Sequence, residues 1–342
     1  MKTMRKLKNR KIFCRLLIPV MLIAILSACS SGEPQTSEPP VGDNAPPIVQ
    51  TQFINIATGG SAGTYYPLGG AIAEILNNYL ENINATASST GGSVANIQQL
   101  NIGEADIGMI QNDIAYYAVT GTELFVDKPI TGLKALASLY PESCQIITTA
   151  DTGITSIADF SGKRIAVGAQ NSGTEANARQ IMAAAGITDN NVTLQYLSFI
   201  DAANGLKDGT TDAAFITAGF PTTAIIDVAA LQELKLISLD QATCEALVKE
   251  YPFYTSITIP AGTYNGQNDD VTTVAVECML VVTDKMPEEL AYNITSAIFS
   301  NLILLAEAHP AGQQINLGNA QDGMSIPLHP GAQKFFDEQL AP

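Results

Sequence analysis

The chain has 342 residues with 17 basic against 33 acidic side chains, no tryptophan and a formal net charge of −16. Seven of the basic residues and none of the acidic ones lie in the first 28 positions, so the remainder carries 10 basic against 33 acidic groups, a charge of −23. That surface argues against a nucleic-acid partner and against flat adsorption on anionic lipid. It leaves open a small ligand held in a cleft, because salt screens charges beyond roughly 8 Å.

Residues 1–28 read as an address. Lys2, Arg5, Lys6, Lys8, Arg10, Lys11 and Arg15 form a basic start, and Leu16 to Leu26 is an apolar run too short to span a bilayer. Leu26-Ser27-Ala28-Cys29 follows and resembles the lipobox of bacterial lipoproteins, which implies cleavage before Cys29 and a lipid anchor on it. Residues 29–52 are rich in Pro, Ser, Glu and Gly and nearly free of apolar side chains. Such a segment buries too little surface to order itself and is expected to be a disordered tether. The 290 residues after position 52 are long for one core and fit two lobes.

Phe53 to Thr58 reads as a strand, and Gly59, Gly60 and Gly63 then interrupt regular structure. From Tyr65 the apolar residues Leu68, Ile72, Ile75, Leu76 and Tyr79 recur at helical spacing, with Pro67 acceptable in the first turn. A strand, a glycine loop and a helix gather free backbone N–H groups at a helix start, which favours an anion. Strands are expected next at Ala85–Ser89 and Ile107–Ile110. Between them runs a helix over Val94–Ile102 with Ser93 as N-cap. A helix starts at Asp113, and Leu133–Leu139 and Cys144–Thr148 read as two strands with turn residues between them.

The same grammar then repeats. Arg164–Gly168 is a strand, Asn171-Ser172-Gly173-Thr174 a loop, and Glu175–Ala185 a helix closed by Gly186. Strands at Val192–Leu197 and Ala213–Ile216 flank a helix at Ala202–Lys207. Leu236–Leu239 is a strand and Gln241–Tyr251 a helix. Thr255–Ile259 and Val274–Thr283 are strands, Pro287–Ala308 is one long helix, and Gln333–Leu340 is a short last one. Alternating strands and helices imply an α/β fold with mainly parallel sheets and ligands at the carboxyl ends of strands. Cys144, Cys244 and Cys278 form no C-x-x-C pair, which leaves metal and redox motifs absent. Cys144 and Cys278 either pair, if their strands are neighbours, or remain buried thiols.

Several motifs stand in one order along the chain. They are Ala57-Thr58-Gly59-Gly60-Ser61-Ala62-Gly63-Thr64-Tyr65-Tyr66, Gly91-Gly92-Ser93-Val94-Ala95-Asn96, Ala105-Asp106-Ile107-Gly108 and Gly168-Ala169-Gln170-Asn171-Ser172-Gly173-Thr174-Glu175. Further on come Asp212-Ala213-Ala214-Phe215, Ile259-Pro260-Ala261-Gly262-Thr263-Tyr264, Val274-Ala275-Val276 and His329-Pro330-Gly331-Ala332. Together they resemble the solute-binding proteins of the TAXI family of TRAP transporters. The resemblance implies a two-lobed periplasmic-binding-protein-like (type II) clamp with a central cleft. Residues 53–143 plus 267–342 would form one lobe and residues 144–266 the other. It also implies a receptor that takes a small carboxylate or amino acid, such as glutamate, glutamine or 2-oxoglutarate, to a TRAP-type membrane permease. No metal or other cofactor is implied, and contact with the membrane is through the lipid anchor alone.

The candidate ligand residues are Gly60, Ser61, Gly63, Thr64 and Tyr65 on the first loop and Asn171, Ser172, Gly173 and Thr174 on the second. Ser89, Ser93, Gln111, Asn112, Thr217 and Gly219 join them at strand ends or caps, where plain capping and turn chemistry is the alternative. After residue 28 the only arginines are Arg164 and Arg179, expected respectively at an exposed strand start and in helix packing or a surface pair. Carboxylate recognition is therefore expected from dipoles and hydroxyls. A competing reading takes Gly59-Gly60-Ser61-Ala62-Gly63 as the nucleophile turn of a serine hydrolase, with His309 or His329 downstream. Against it, the turn follows the first strand, no HGGG-type segment is present, and both histidines adjoin prolines near the C-terminus. A sensor or ABC-type receptor on the same fold is the third class.

Overall fold

The computed structural model describes residues 50–340. The expected signal segment, the lipidation site Cys29 and the tether as far as residue 49 lie outside the described residues. The first half alternates β1 (Gln52–Ala57), α1 (Tyr65–Tyr79), β2 (Ile83–Ser88), α2 (Ser93–Ile102), β3 (Ile107–Gln111) and α3 (Asn112–Thr120). After β4 (Leu133–Thr149) come β5 (Arg164–Ala166), α4 (Gly173–Ala184), β6 (Thr193–Gln195), α5 (Phe199–Lys207), β7 (Ala213–Ala218) and α6 (Thr223–Leu231). Then follow β8 (Leu234–Leu236), α7 (Gln241–Glu250), β9 (Thr255–Ile259), β10 (Val271–Thr283), α8 (Glu288–Ser300), α9 (Leu302–Ala308) and α10 (Pro330–Gln339).

The sheet order is β2-β1-β3-β10-β4-β7-β5-β6, with β8 beside β4 and β9 beside β10. Both flanks are parallel, as the alternation predicts: β1 with β2 and β3, and β5 with β6 and β7. The expectation of mainly parallel sheets is corrected in the middle, where the longest ladders are antiparallel: β10 pairs with β3, β4 and β9, and β4 with β7 and β8, since these strands run between the flanks without a helical crossover. Two long strands thus tie the flanks together. Buried apolar side chains gather in separate cores at the two ends. One holds Ile54, Leu68, Ile72, Leu280 and Phe336; another holds Phe160, Ile181, Phe215 and Val274.

Helix α1 buries Leu68, Ile72, Ile75 and Leu76 completely, on the stripe its spacing predicts, whereas Tyr79, expected on the same stripe, is exposed at the helix end. It lies so close to the end of β1 that a Cβ on Gly69 would stand 2.3 Å from Thr58 Cγ2, so glycine is required there. Three local expectations are corrected. Leu133–Thr149 is a single strand of 17 residues rather than two strands and a turn. Pro141 sits opposite Glu277 in a ladder whose register shifts nearby, between Cys278 and Met279, an irregularity that accommodates a proline. The helix expected over Pro287–Ala308 is broken into α8 and α9, bent by 65°. Asn301 at the break has φ −131° and ψ 34°, outside the helical region, and its Nδ2 donates to the Ala297 carbonyl at 2.8 Å. Ser93 is the first residue of α2 rather than its cap; Gly92 at φ 101° occupies the cap position, and Ser93 Oγ instead accepts from the Gln111 N–H at 3.1 Å.

Helix α6 was not expected, although Ala224, Ile225, Val228 and Ala229 bury one face of it. Cys144, Cys244 and Cys278 are buried free thiols.

Candidate functional site

The first loop is fastened at its root and at its crest. Thr58 N donates to the Ser88 carbonyl at 3.0 Å, and the Thr58 carbonyl accepts from Asn96 Nδ2 at 2.7 Å and Thr90 Oγ1 at 2.8 Å. The Gly63 N–H closes a tight turn onto the Gly60 carbonyl at 3.0 Å. Thr64 Oγ1 then donates to the Gly219 carbonyl at 3.1 Å, and the Ala224 N–H donates to the Ala62 carbonyl at 3.1 Å. The crest is therefore pinned to the end of β7 and the start of α6, in the other half. The second loop is set by its own cap. Ser172 Oγ accepts from the Glu175 N–H at 3.1 Å, and Asn171, at φ 58°, gives its N–H to Glu175 Oε2 at 2.7 Å. Residue types that fold this way locally are those the repeated strand–loop–helix grammar displays.

Between the two loops lies a cavity of about 620 Å³, part of it open to solvent. Ten of the expected residues line it: Gly60, Gly63, Thr64, Tyr65, Ser93, Gln111, Ser172, Gly173, Thr174 and Thr217. Five others are placed elsewhere. Ser61 is exposed on the outside of the turn, and Asn171 is exposed before its cap. Ser89 is exposed and donates to the Gly59 carbonyl at 2.9 Å. Asn112 turns to the C-terminal segment, with Nδ2 on the Gly323 carbonyl at 2.9 Å and Oδ1 accepting from Glu277 N at 3.1 Å. The Gly219 carbonyl accepts from the hydroxyls of Thr64 and Thr222.

The wall also contains groups that sequence reasoning missed, chiefly Glu142, Phe199, Thr90 and Ser198. Glu142 is buried to 2% exposure on the continuous strand β4 and accepts a hydrogen bond from Tyr65 Oη at 2.6 Å. The available signal was an acidic residue inside a β-prone apolar run, which a turn assignment explained away. Neither arginine reaches the cavity. Arg164 grips Asp212 with Nε at 3.0 Å and Nη2 at 2.6 Å, and Arg179 pairs with Glu175 and Asp189, in keeping with the roles expected of them. Both histidines are helix caps: the Nδ1 of His309 accepts from Ala311 N and that of His329 from Gly331 N.

Residues 56–339 match the NMT1-like family. The chain belongs to that family. Among solved structures, a protein of Bordetella bronchiseptica RB50 shares 14% identity with it at a TM-score of 0.55, covering 86% of this chain and 99% of that one. The alkanesulfonate-binding protein SsuA of Xanthomonas axonopodis pv. citri, bound to MOPS, shares 13% identity at a TM-score of 0.45 and covers 84% of both chains. A TRAP periplasmic solute-binding protein of Pseudomonas aeruginosa PAO1 with bound L-malate shares 10% at 0.45, covering 84% of this chain and 96% of that one. The chain shares with the Bordetella protein a mixed α/β fold, the class that the alternation of strands and helices predicts.

A buried polar chain runs from the cavity wall of this NMT1-like protein into its interior. Gln111 Nε2 donates to Asn177 Oδ1 at 2.7 Å, and Asn177 Nδ2 donates to Asp113 Oδ2 at 2.9 Å and reaches Tyr254 Oη at 2.9 Å. Tyr254 Oη donates to Gln180 Oε1 at 2.6 Å, and Gln180 Nε2 donates to Tyr117 Oη at 3.1 Å. The chain alternates between β3–α3 on one side and α4 with Tyr254 on the other, so it ties the two halves beneath the cavity.

Burial raises the Asp113 carboxyl to about 7, although the Ile114 N–H and Asn177 favour its charged form. Burial also raises Glu277 to about 7, and pushes Glu142 up against the opposing donation from Tyr65. An acid whose folded value is raised binds its proton more tightly in the folded state, so stability falls as pH climbs from the unfolded value to the folded one. These carboxyls therefore pull the unfolding temperature down between about pH 4 and pH 7, while His309 and His329, lowered by burial, pull it up with pH as far as their ordinary range. The Asp113→Asn variant should show a shallower decline. Hydrogen bonds lower Asp159, Asp212 and Asp240, and the stability these give is lost only below their ordinary range. Melts of the wild type and of Asp113→Asn from about pH 4 to pH 8 check this; parallel profiles for the two proteins would contradict it.

Proposed function

We propose that this NMT1-like protein is an extracytoplasmic solute-binding receptor of the TAXI type, anchored through Cys29 and held off the membrane by residues 29–52. Residues 53–143 plus 267–342 act as one lobe and residues 144–266 as the other. A small carboxylate or amino acid enters between them, bridges the loops at Gly60–Tyr65 and Ser172–Thr174, and favours the closed state because it binds that state better. The closed receptor then docks on a TRAP-type permease driven by an ion gradient.

One observation carries this reading. The cavity is bounded by two helix starts, α1 from one half and α4 from the other, each preceded by a glycine-bearing loop and each adding hydroxyls to free backbone N–H groups. Such helix starts accept an anion without a cationic side chain, and among the described residues no lysine, arginine or histidine lines the cavity. Thermal unfolding with and without glutamate, glutamine, aspartate and 2-oxoglutarate tests it. A ligand at 1,000 times its dissociation constant adds about 4 kcal/mol, which moves the transition visibly. No shift with any of them would sink the carboxylate reading.

A further inference from the structure

We propose that Glu142 and the side-chain oxygen of Gln111 form the acceptor end of the cavity and read a primary ammonium, so that the ligand is an amino acid rather than a dicarboxylate without an amine. The inference rests on the receptor reading and narrows its ligand class. The first support is the direction in which Gln111 faces. Asn177 Nδ2 is committed to Asp113 and Tyr254, which leaves Asn177 Oδ1 as the acceptor for Gln111 Nε2 at 2.7 Å. Gln111 lines the cavity, and its side-chain oxygen accepts from Ser93 Oγ at 3.5 Å with a second lone pair to spare.

The second support is Glu142. It lines the same cavity, and one of its oxygens accepts from Tyr65 Oη at 2.6 Å. Tyr65 Oη is in turn 3.5 Å from Ser93 Oγ, so the tyrosine and the serine link the two acceptors into one cluster. Across the cavity lie the Gly60–Thr64 loop and the start of α4, whose backbone N–H groups are donors. A ligand with only anionic ends is met there by a proton-bearing carboxyl alone, and leaves the spare lone pairs of Glu142 and Gln111 without a donor. An ammonium supplies a cation and up to three donors for the lone pairs that Tyr65 and Ser93 leave over on Glu142 and Gln111. The groups around Glu142 offer no substitute. They are Tyr65 from α1, Tyr140 from its own strand, Cys278 and Glu277 from β10 and Asp113 from the start of α3, and none is a cation.

Binding an ammonium stabilises the charged form of Glu142, whose ordinary value burial has raised. Affinity is therefore expected to tighten as pH rises through the range in which the free protein gives up that proton, with protons released on binding.

The experiment is calorimetric titration of the protein with matched pairs differing only in the amine: L-glutamate with glutarate, L-glutamine with glutaramate, L-leucine with 4-methylpentanoate. One amino acid is expected to bind at least about a hundredfold more tightly than its deaminated partner, because the acceptors are then left unpaired. Glu142→Gln should narrow that ratio to within about tenfold, and the wild-type pH series supplies the same answer should the variant fold poorly. A deaminated partner binding as tightly as its amino acid, an affinity that weakens with rising pH, or a ratio untouched in Glu142→Gln would each overturn the assignment and leave the receptor reading standing. Silence from every compound would overturn both together.

Discussion

Phe336→Ala is expected to lose about 3–5 kcal/mol of unfolding free energy, the cost of deleting a fully buried aromatic ring. Phe336 is completely enclosed on α10, with its ring centre 5.4 Å from that of Phe299 and 5.3 Å from that of Phe335. The loss should fall at the upper end because the surroundings have little freedom to collapse. Helix α10 crosses α8 so closely that a Cβ on Gly331 would stand 2.1 Å from the Glu288 carbonyl oxygen and 2.7 Å from Tyr292 N. With backbone against backbone, the helices cannot slide inward to fill the void. Urea unfolding with an unchanged m-value is the check, and a loss below about 1 kcal/mol would show that the site relaxes.

Gly173→Val is expected to abolish ligand binding and cost about 1–3 kcal/mol through overpacking. Gly173 is the first residue of α4, and a Cβ there would lie 1.2 Å from Gln111 Oε1 and 2.4 Å from its Cδ. The glutamine has to leave. Doing so breaks its bond to Asn177, opens the buried chain that ties the halves, and puts a branched side chain in the cavity wall. Melting and calorimetry on the same sample separate the two effects. A variant that binds as the parent does would mean that Gln111 has room that the packing denies.

Much of the fold was legible from period and punctuation. The stripe of Leu68, Ile72, Ile75 and Leu76 located α1, and the residue types of the Asn171–Thr174 loop located the start of α4. What stayed hidden depends on partners distant in sequence. Pro141 and Glu142 looked like a turn, because nothing local reveals that β10 continues the ladder opposite them, with Glu277 facing Pro141 and Val276 facing Glu142. Asn301 looked like a helix interior residue until its backbone was seen to leave the helix. In the site, loop glycines and hydroxyls were found by chemistry and spacing. Ser61 could not be told from Thr64, since which hydroxyl faces inward follows from the turn that the Gly63 N–H makes with the Gly60 carbonyl. Glu142 was invisible for a related reason: its place in the wall depends on the crossing of β4 between the halves.

Whether the space between the α1 and α4 starts is a ligand site is decided by titration calorimetry of the purified protein with L-glutamate and L-glutamine, then with the aliphatic amino acids and dicarboxylates. A saturable heat at one ligand per chain, lost in Gly173→Val, is the expected result. The absence of saturable binding by every amino acid and small carboxylate, or binding that Gly173→Val leaves intact, would contradict the assignment of that cavity.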